Sequence, residues 1–481
     1  MKTTIKSDKI KLANVMPWIL FILGTLSYIS LIFNNNVWMD EAFTASLINT
    51  DMSGVISRSM SDTLPPLYNI YLKIMTDIFG YTVPIMKLAS VIPMILTMLL
   101  SVTVVRKRHG NLVSSLFCAA LFCMPCMLHF GIEIRMYSLG FFFATASGIF
   151  AYEVLFDSCI KNWICFTLLS VLAGYSHHFA FVSVGAVYLY ILLYYLIKDR
   201  AHIKRFFLCL AATFVLYLPC LLVTLKQISR VSGYFSMPDM TLPQVIKYMY
   251  YPYTSNVRII SVLLVISVLL LIANCIVSII KDKEHASLHM YALFMFLIFY
   301  GVLAFGAIIS RLMTANIFVD RYLFFSFGLI WLFYSIEGVS FTEKFKAGKI
   351  LYFILLVFTI VIGVCTYTYE FKSEYANSPD SMCSYLNDNV SDGDLIIPVA
   401  ETEAAFRCLR FYEPKLNYCG DLNSALELFE NGQCQSIWIV VDKEDSSLED
   451  LQGIADTEEK PRFIDEYNFD RYDFELYRIT N

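Results

Sequence analysis

The sequence predicts a polytopic α-helical membrane protein of about eleven transmembrane helices, followed by a small extracytoplasmic α/β domain at the C-terminus. Three observations predict it. Hydrophobic residues make up 57% and charged residues 16% of the 481, against roughly 45–50% and about 25% in a soluble chain. Charge is divided unevenly, with residues 1–369 carrying 27 basic and 16 acidic side chains and residues 370–481 carrying 9 and 25. Apolar runs long enough to cross a hydrocarbon core of ~30 Å recur down the first part and stop before the acidic part. So little charge excludes a coiled coil and a disordered chain. A net charge of −5 gives no support to a nucleic-acid binder.

Apolar segments begin near Met16, Val83, Asn111, Ser138, Trp163, Phe179, Phe206, Ile259, Leu288, Tyr322 and Ile350. The fifth and sixth are joined by almost nothing, and no internal repeat of 20–50 residues is visible. The first is long for a signal peptide and lacks a small-residue cleavage pattern, so a retained anchor is expected. Lys2, Lys6, Lys9 and Lys11 precede it. Alternate loops then carry Arg106-Lys107-Arg108, Lys161, Lys198 with Arg200, Lys204 and Arg205, Lys281 with Lys283, and Lys344 with Lys346 and Lys349. Basic loops stay in the cytoplasm, so the N-terminus is expected inside. The first outward loop, about residues 34–82, and the acidic domain 370–481 are then outside. In that domain the runs Asp394–Val399 and Ser436–Val441 read as buried strands, set between helical stretches near residues 401–412 and 421–430. Thirteen cysteines are scattered along the chain. Most read as small apolar residues, although Cys383, Cys408, Cys419 and Cys434 would be free to pair in an oxidising compartment.

Five outward-facing motifs carry the available chemistry. Trp38-Met39-Asp40-Glu41-Ala42 follows the first span. Two adjacent carboxylates at a bilayer surface are costly without a cation or donor, yet acids also favour the first turn of a helix. Asp62-Thr63-Leu64-Pro65-Pro66-Leu67-Tyr68 lies in the same loop, where Pro-Pro opens a helix and Asp62 reads equally well as its cap. Glu133-Ile134-Arg135-Met136-Tyr137 joins the third and fourth spans. There Arg135 either pairs with Glu133 or presents its donor fork to a phosphate. Tyr175-Ser176-His177-His178 joins the fifth and sixth spans, and interfacial histidines are more often satisfied polar tips than ligands. Asp320-Arg321-Tyr322 opens the tenth, where Arg321 could snorkel or pair with Asp320.

In this order and on one side of the membrane, the five motifs resemble the GT-C superfamily of membrane glycosyltransferases. The closest resemblance is to bacterial relatives of the protein O-mannosyltransferases and the lipid A aminoarabinose transferase. It runs from about residue 12 to about residue 335. It implies a GT-C fold in the cell membrane, a polyprenyl-phosphate-sugar donor and inverting transfer to an extracytoplasmic hydroxyl or amine. By position, Asp40 would be the catalytic carboxylate with Glu41 as its companion. Arg135, Arg321 and Tyr322 would face the donor phosphate. Asp62, Glu133, Tyr137 and His178 would border the site. A divalent metal such as Mg or Mn, held by Asp40, Asp62 and His177, is a further implication, weakened because Leu64 stands where relatives carry a histidine. The resemblance names neither the sugar nor the acceptor. Two other readings fit a polytopic apolar chain. A lipid-linked-sugar flippase would place charge near the midplane of repeated halves, and a non-catalytic scaffold would leave the outward acids and arginines without a purpose.

Overall fold

The computed structural model describes residues 2–234, 240–312, 317–376, 380–399, 404–420, 422–442, 461–469 and 472–480. The chain divides into two compact units, residues 1–32 with 50–370, and residues 33–49 with 371–481. The segment bearing Asp40 and Glu41 therefore belongs with the C-terminal part of the chain.

The first unit is a helical membrane body. Its helices are α1 (Lys2–Ile29), then α3 (Met52–Ser61), α4 (Leu67–Phe79), α5 (Val83–Leu100), α6 (Arg106–Cys123), α7 (Met127–Ile132) and α8 (Tyr137–Phe156). There follow α9 (Ile160–Ser176), α10 (His178–Ile197), α11 (Ile203–Tyr234), α12 (Leu242–Tyr250), α13 (Arg258–Lys281), α14 (Ala286–Leu312), α15 (Phe327–Glu343) and α16 (Gly348–Ala376), the last running on into the second unit. Eight helical stretches among the described residues are long and apolar enough to cross a bilayer. One of them, Val83–Cys123, is 41 residues long and is broken at Gly110, whose φ of 85° is open to glycine without strain. Helices Ala13–Ile29 and Ile160–Ser176 are apolar and shorter.

Helix α15 is buried on every side from Phe327 to Val339, so it forms the axis of this unit. Helix α8 approaches it closely because glycines remove the intervening side chains: a Cβ at Gly328 would overlap Thr145, and one at Gly148 would overlap Leu329. Tyrosine hydroxyls cross-link other helices through backbone carbonyls, Tyr291 to Gly148 at 2.9 Å and Tyr28 to Leu121 at 2.9 Å.

At the end of the bundle holding the start of α6 and the end of α8, the buried carboxylates Glu153 and Glu337 are matched by partners. Arg108 grips Glu153 with two hydrogen bonds of 2.6 Å and reaches Asp157 at 2.5 Å. Glu337 accepts from His289 at 2.7 Å and from Asn274 at 3.1 Å, while Lys344 donates to Asn274 and Ser278 at 2.6 Å. A buried pair is costly to break on one side. Arg108→Ala leaves the nearly buried Glu153 carboxylate without its two-bond partner and is therefore expected to destabilise the protein by about 1–3 kcal/mol, read as a lowered thermal midpoint in detergent. Asp157→Asn, at a half-exposed acid, should change little.

The second unit contains α2 (Met39–Ile48), α17 (Asp380–Asn389), α18 (Ala404–Tyr412) and α19 (Leu422–Glu430). Its four strands are β1 (Leu395–Val399), β2 (Ser436–Asp442), β3 (Arg462–Phe469) and β4 (Tyr472–Thr480), in the order β1-β2-β4-β3. Strands β1 and β2 are parallel and the other pairings antiparallel. Strand alternation splits the core. Trp438 and Val440 join Ile396, Leu476, Met382, Leu386 and Leu409 on one face. Ile437, Ile439 and Val441 join Ile397, Ile479, Ala425 and Phe429 on the other. The two expected strands and two expected helices are present, the latter from 404 and 422, with residues 401–403 and 421 outside the described residues. The sequence reading had no counterpart for α17 or the β3–β4 hairpin. Among the described residues Cys383, Cys408, Cys419 and Cys434 form no disulfide.

Candidate functional site

In the membrane body, three of the sequence motifs converge at the end opposite Arg108. Residues 133–136 link α7 to α8 as a tight turn, in which the Arg135 amide bonds to the Glu133 carbonyl at 2.6 Å. Glu133 is buried. A 3-10 segment, Asp320–Ser326, leads into α15, and Asp320 accepts the Arg321 amide at 2.8 Å. His177 lies between α9 and α10 in extended backbone (φ −163°), capping α10. Its ring stacks on Phe325 at 4.4 Å and lies 4.7 Å from Tyr322.

The cap fixes the chemistry of His177. Its Nδ1 accepts the Phe179 amide at 3.1 Å, so in the neutral ring the proton sits on Nε2. The residue is 1% exposed, and Nε2 has no hydrogen-bond partner among the described residues. Burial first, then His178, Arg135 and Arg321, hold the imidazole well below its ordinary pKa, so the ring is a neutral donor. Tyr137, buried at the start of α8, lies within electrostatic reach of Arg135, Arg321, Glu133 and Tyr322. Its hydroxyl also has no hydrogen-bond partner among the described residues. Two guanidiniums, a buried N–H and a buried hydroxyl form a setting suited to an anion.

An apolar cavity of about 500 Å³ runs from this cluster, lined by His177, His178, Tyr322, Leu64, Phe181 and Phe305 among others. Gln227 of α11 holds its wall, bonding the Leu64 carbonyl at 3.0 Å and the Ser59 carbonyl at 3.4 Å. Asp62 ends α3, with its amide bonded to Arg58 and Ser59, and does not begin the next helix; Pro66 precedes α4. The chain turns at Asp62 because Pro65 and Pro66 cannot extend α3. His178 lies against Thr63 and Gln227, so the Asp62 motif borders the same cavity.

Asp40 and Glu41 belong to the second unit, in the first turn of α2. Glu41 accepts the Trp38 amide at 3.0 Å and thereby caps its own helix. The Asp40 carbonyl accepts the Thr44 hydroxyl at 2.9 Å. Within the membrane body, the described residues bring three metal-competent side chains together at Cys275, His289 and Glu337, at the other end of the bundle. There Glu337 is already matched by His289 and Asn274. His177, with Nδ1 taken by the Phe179 amide and the proton on Nε2, would have to change tautomer to ligate a metal, and Leu64 offers no ligand atom.

The motifs did not single out Lys87, which is 1% exposed in the second turn of α5, at the cavity's end of the bundle. A lysine inside an apolar span is the signal that finds it. They also passed over Cys123-Met124-Pro125-Cys126, a C-x-x-C spacing. Both thiols are free, and burial, then the Glu370 charge, pushes Cys126 up to about 12, too high for a reactive thiolate.

The first unit is thus a long helical membrane body that carries an anion-suited cluster beside an apolar cavity. Among solved structures the chain is similar to ArnT from Cupriavidus metallidurans, both in the apo state and bound to undecaprenyl phosphate. Each shows a TM-score of 0.64 and 10% identity, covering 96% of this chain and 97% of the other. The chain thus shares the fold of the ArnT structures along almost its whole length. No protein-family model and no curated protein matches the sequence.

Proposed function

We propose that this protein is an integral membrane glycosyltransferase that moves a sugar from a polyprenyl-phosphate donor to a hydroxyl or amine acceptor outside the cytoplasm. The observation that carries the reading is the buried His177 Nε2–H beside Arg135 and Arg321 at the mouth of the apolar cavity. Such a site offers a lipid phosphate both a charged grip and an apolar berth. The ArnT structure bound to undecaprenyl phosphate supports the same ligand class.

The chemistry follows from charge. As the sugar departs, negative charge collects on the phosphate and positive charge on the ring. Arg135, Arg321 and the His177 N–H stabilise the first without reorganising. Asp40 accepts the proton of the incoming nucleophile, giving inversion by one displacement with no covalent enzyme intermediate. The leaving phosphate is already an anion, so the reaction needs no metal to make it depart.

The test uses purified full-length protein in nanodiscs with a polyprenyl-phosphate-sugar donor. Transfer releases polyprenyl phosphate together with a glycosylated product. Lipid flipping without bond formation would replace this reading with a transporter, and neither activity would leave a scaffold. His177→Ala should raise the donor KM about tenfold, the worth of one hydrogen bond to a charged group. His177→Asn, which keeps an acceptor for Phe179 and an N–H donor, should recover most of it.

A further inference from the structure

Residues 33–38 have no regular structure, yet their backbone groups need partners wherever they are buried. The Tyr412 hydroxyl, at the end of α18, accepts the Val37 amide at 2.8 Å and donates to the Asn35 carbonyl at 2.7 Å. One phenol therefore satisfies a donor and an acceptor two residues apart. Val37 is 2% exposed and lies three residues before Asp40. The Cys408 thiol, one turn earlier on α18, approaches the Val37 carbonyl at 3.8 Å. On the other side of Asp40, the Arg407 guanidinium stands 5.0 Å from the centre of the Phe43 ring. Asn36 reaches the Ser373 carbonyl at 3.4 Å. The C-terminal segment thus holds the Asp40 helix before and after the carboxylate.

Helix α2 has only 10 residues, too few to be stable without tertiary support, and α18 supplies that support. Burial, and less strongly the nearby Cys408 and Glu41, raise the Tyr412 phenol well above its ordinary pKa, so it stays protonated and makes both bonds at any physiological pH.

We propose that Tyr412 is a positioning residue for the reaction and that the C-terminal domain is a working part of the transferase. It fixes the entry of α2 and, through it, the aim of Asp40. The proposal rests on the assignment of Asp40 as the reacting carboxylate. Misaim by about 1 Å costs on the order of 100-fold in rate.

Tyr412→Phe keeps the ring and removes the two hydrogen bonds. The expected result is a 10- to 100-fold fall in kcat with the donor KM changed less than twofold. A variant that merely loosened the fold would move both. Hydrogen exchange on the same full-length variant should rise within residues 34–44, while the 436–442 strand keeps its protection. Unchanged exchange at 34–44 overturns the clamp, whatever the activity does. Raised exchange there with unchanged kcat overturns the catalytic part alone. If Asp40→Asn remains fully active, the reading of Asp40 fails separately, and the exchange result still decides whether Tyr412 holds this segment.

Discussion

Replacing Asp40 by Asn is expected to reduce sugar transfer at least 100-fold, within the roughly 10²- to 10⁴-fold range of a lost general base. The change is nearly isosteric, and the Thr44 hydroxyl bonds the Asp40 backbone carbonyl, which the substitution leaves in place. Removing one charge from the first turn of α2 costs about 0.3–1 kcal/mol through the helix dipole, far too little to unfold the protein. Glu41, which caps the helix through the Trp38 amide, is untouched. The variant should therefore extract, fold and bind donor lipid like the parent while failing to transfer. Initial rates with the nanodisc-embedded protein check this, with donor binding measured in parallel. Wild-type rates would remove Asp40 from the mechanism.

The second large effect is expected at Arg321. A charge-assisted hydrogen bond to phosphate is worth about 1.5–3 kcal/mol, so Arg321→Ala should weaken donor binding by roughly 10- to 100-fold. Arg321→Lys restores the charge and loses the forked geometry, and should recover only part of the loss. The acceptor KM should stay near its original value, because the group acts on the donor's leaving phosphate. An equal rise in both constants would assign Arg321 a structural role at the start of the 3-10 segment. The same measurement on Arg135→Ala tells whether the two guanidiniums share the phosphate.

Much of the fold is legible in the residues. Span starts near Val83, Ser138, Phe179, Ile259 and Ile350 fall within two residues of helices that begin at Val83, Tyr137, His178, Arg258 and Gly348, because the demand for unbroken apolar helix is local. The start at Asn111 coincides with the break at Gly110. Strands β1 and β2 are legible because both faces are covered, which leaves continuous apolar runs. Strands β3 and β4 mix acids and arginines with their apolar positions, as in Arg462–Phe469, and so gave no such run.

The site is legible in its charges and less so in its geometry. Arg135, His177 and Arg321 announce themselves as polar groups at the ends of apolar spans, and the structure of the membrane body gathers them. The tautomer of His177 depends on a helix cap that no spacing reveals. Lys87 was absorbed into the count of a span. The duty of Glu41 could not be separated from that of Asp40 in a doublet of acids, since either could begin a helix. Tyr412 acts on residues hundreds of positions earlier in the chain, so no local pattern carries its role.

If Arg321 holds the donor phosphate as proposed, its placement constrains how a transferase of this fold diversifies. Its 3-10 segment is the leading end of α15, which among the described residues is enclosed by neighbours along nearly its whole length. On that reading an anion grip at the end of so enclosed a helix would be hard to relocate by mutation, whereas Leu64, Phe181 and Phe305 are single side chains on a cavity wall. New donor preferences would then evolve most readily by recontouring the wall while the proposed anchor for the departing group stays fixed.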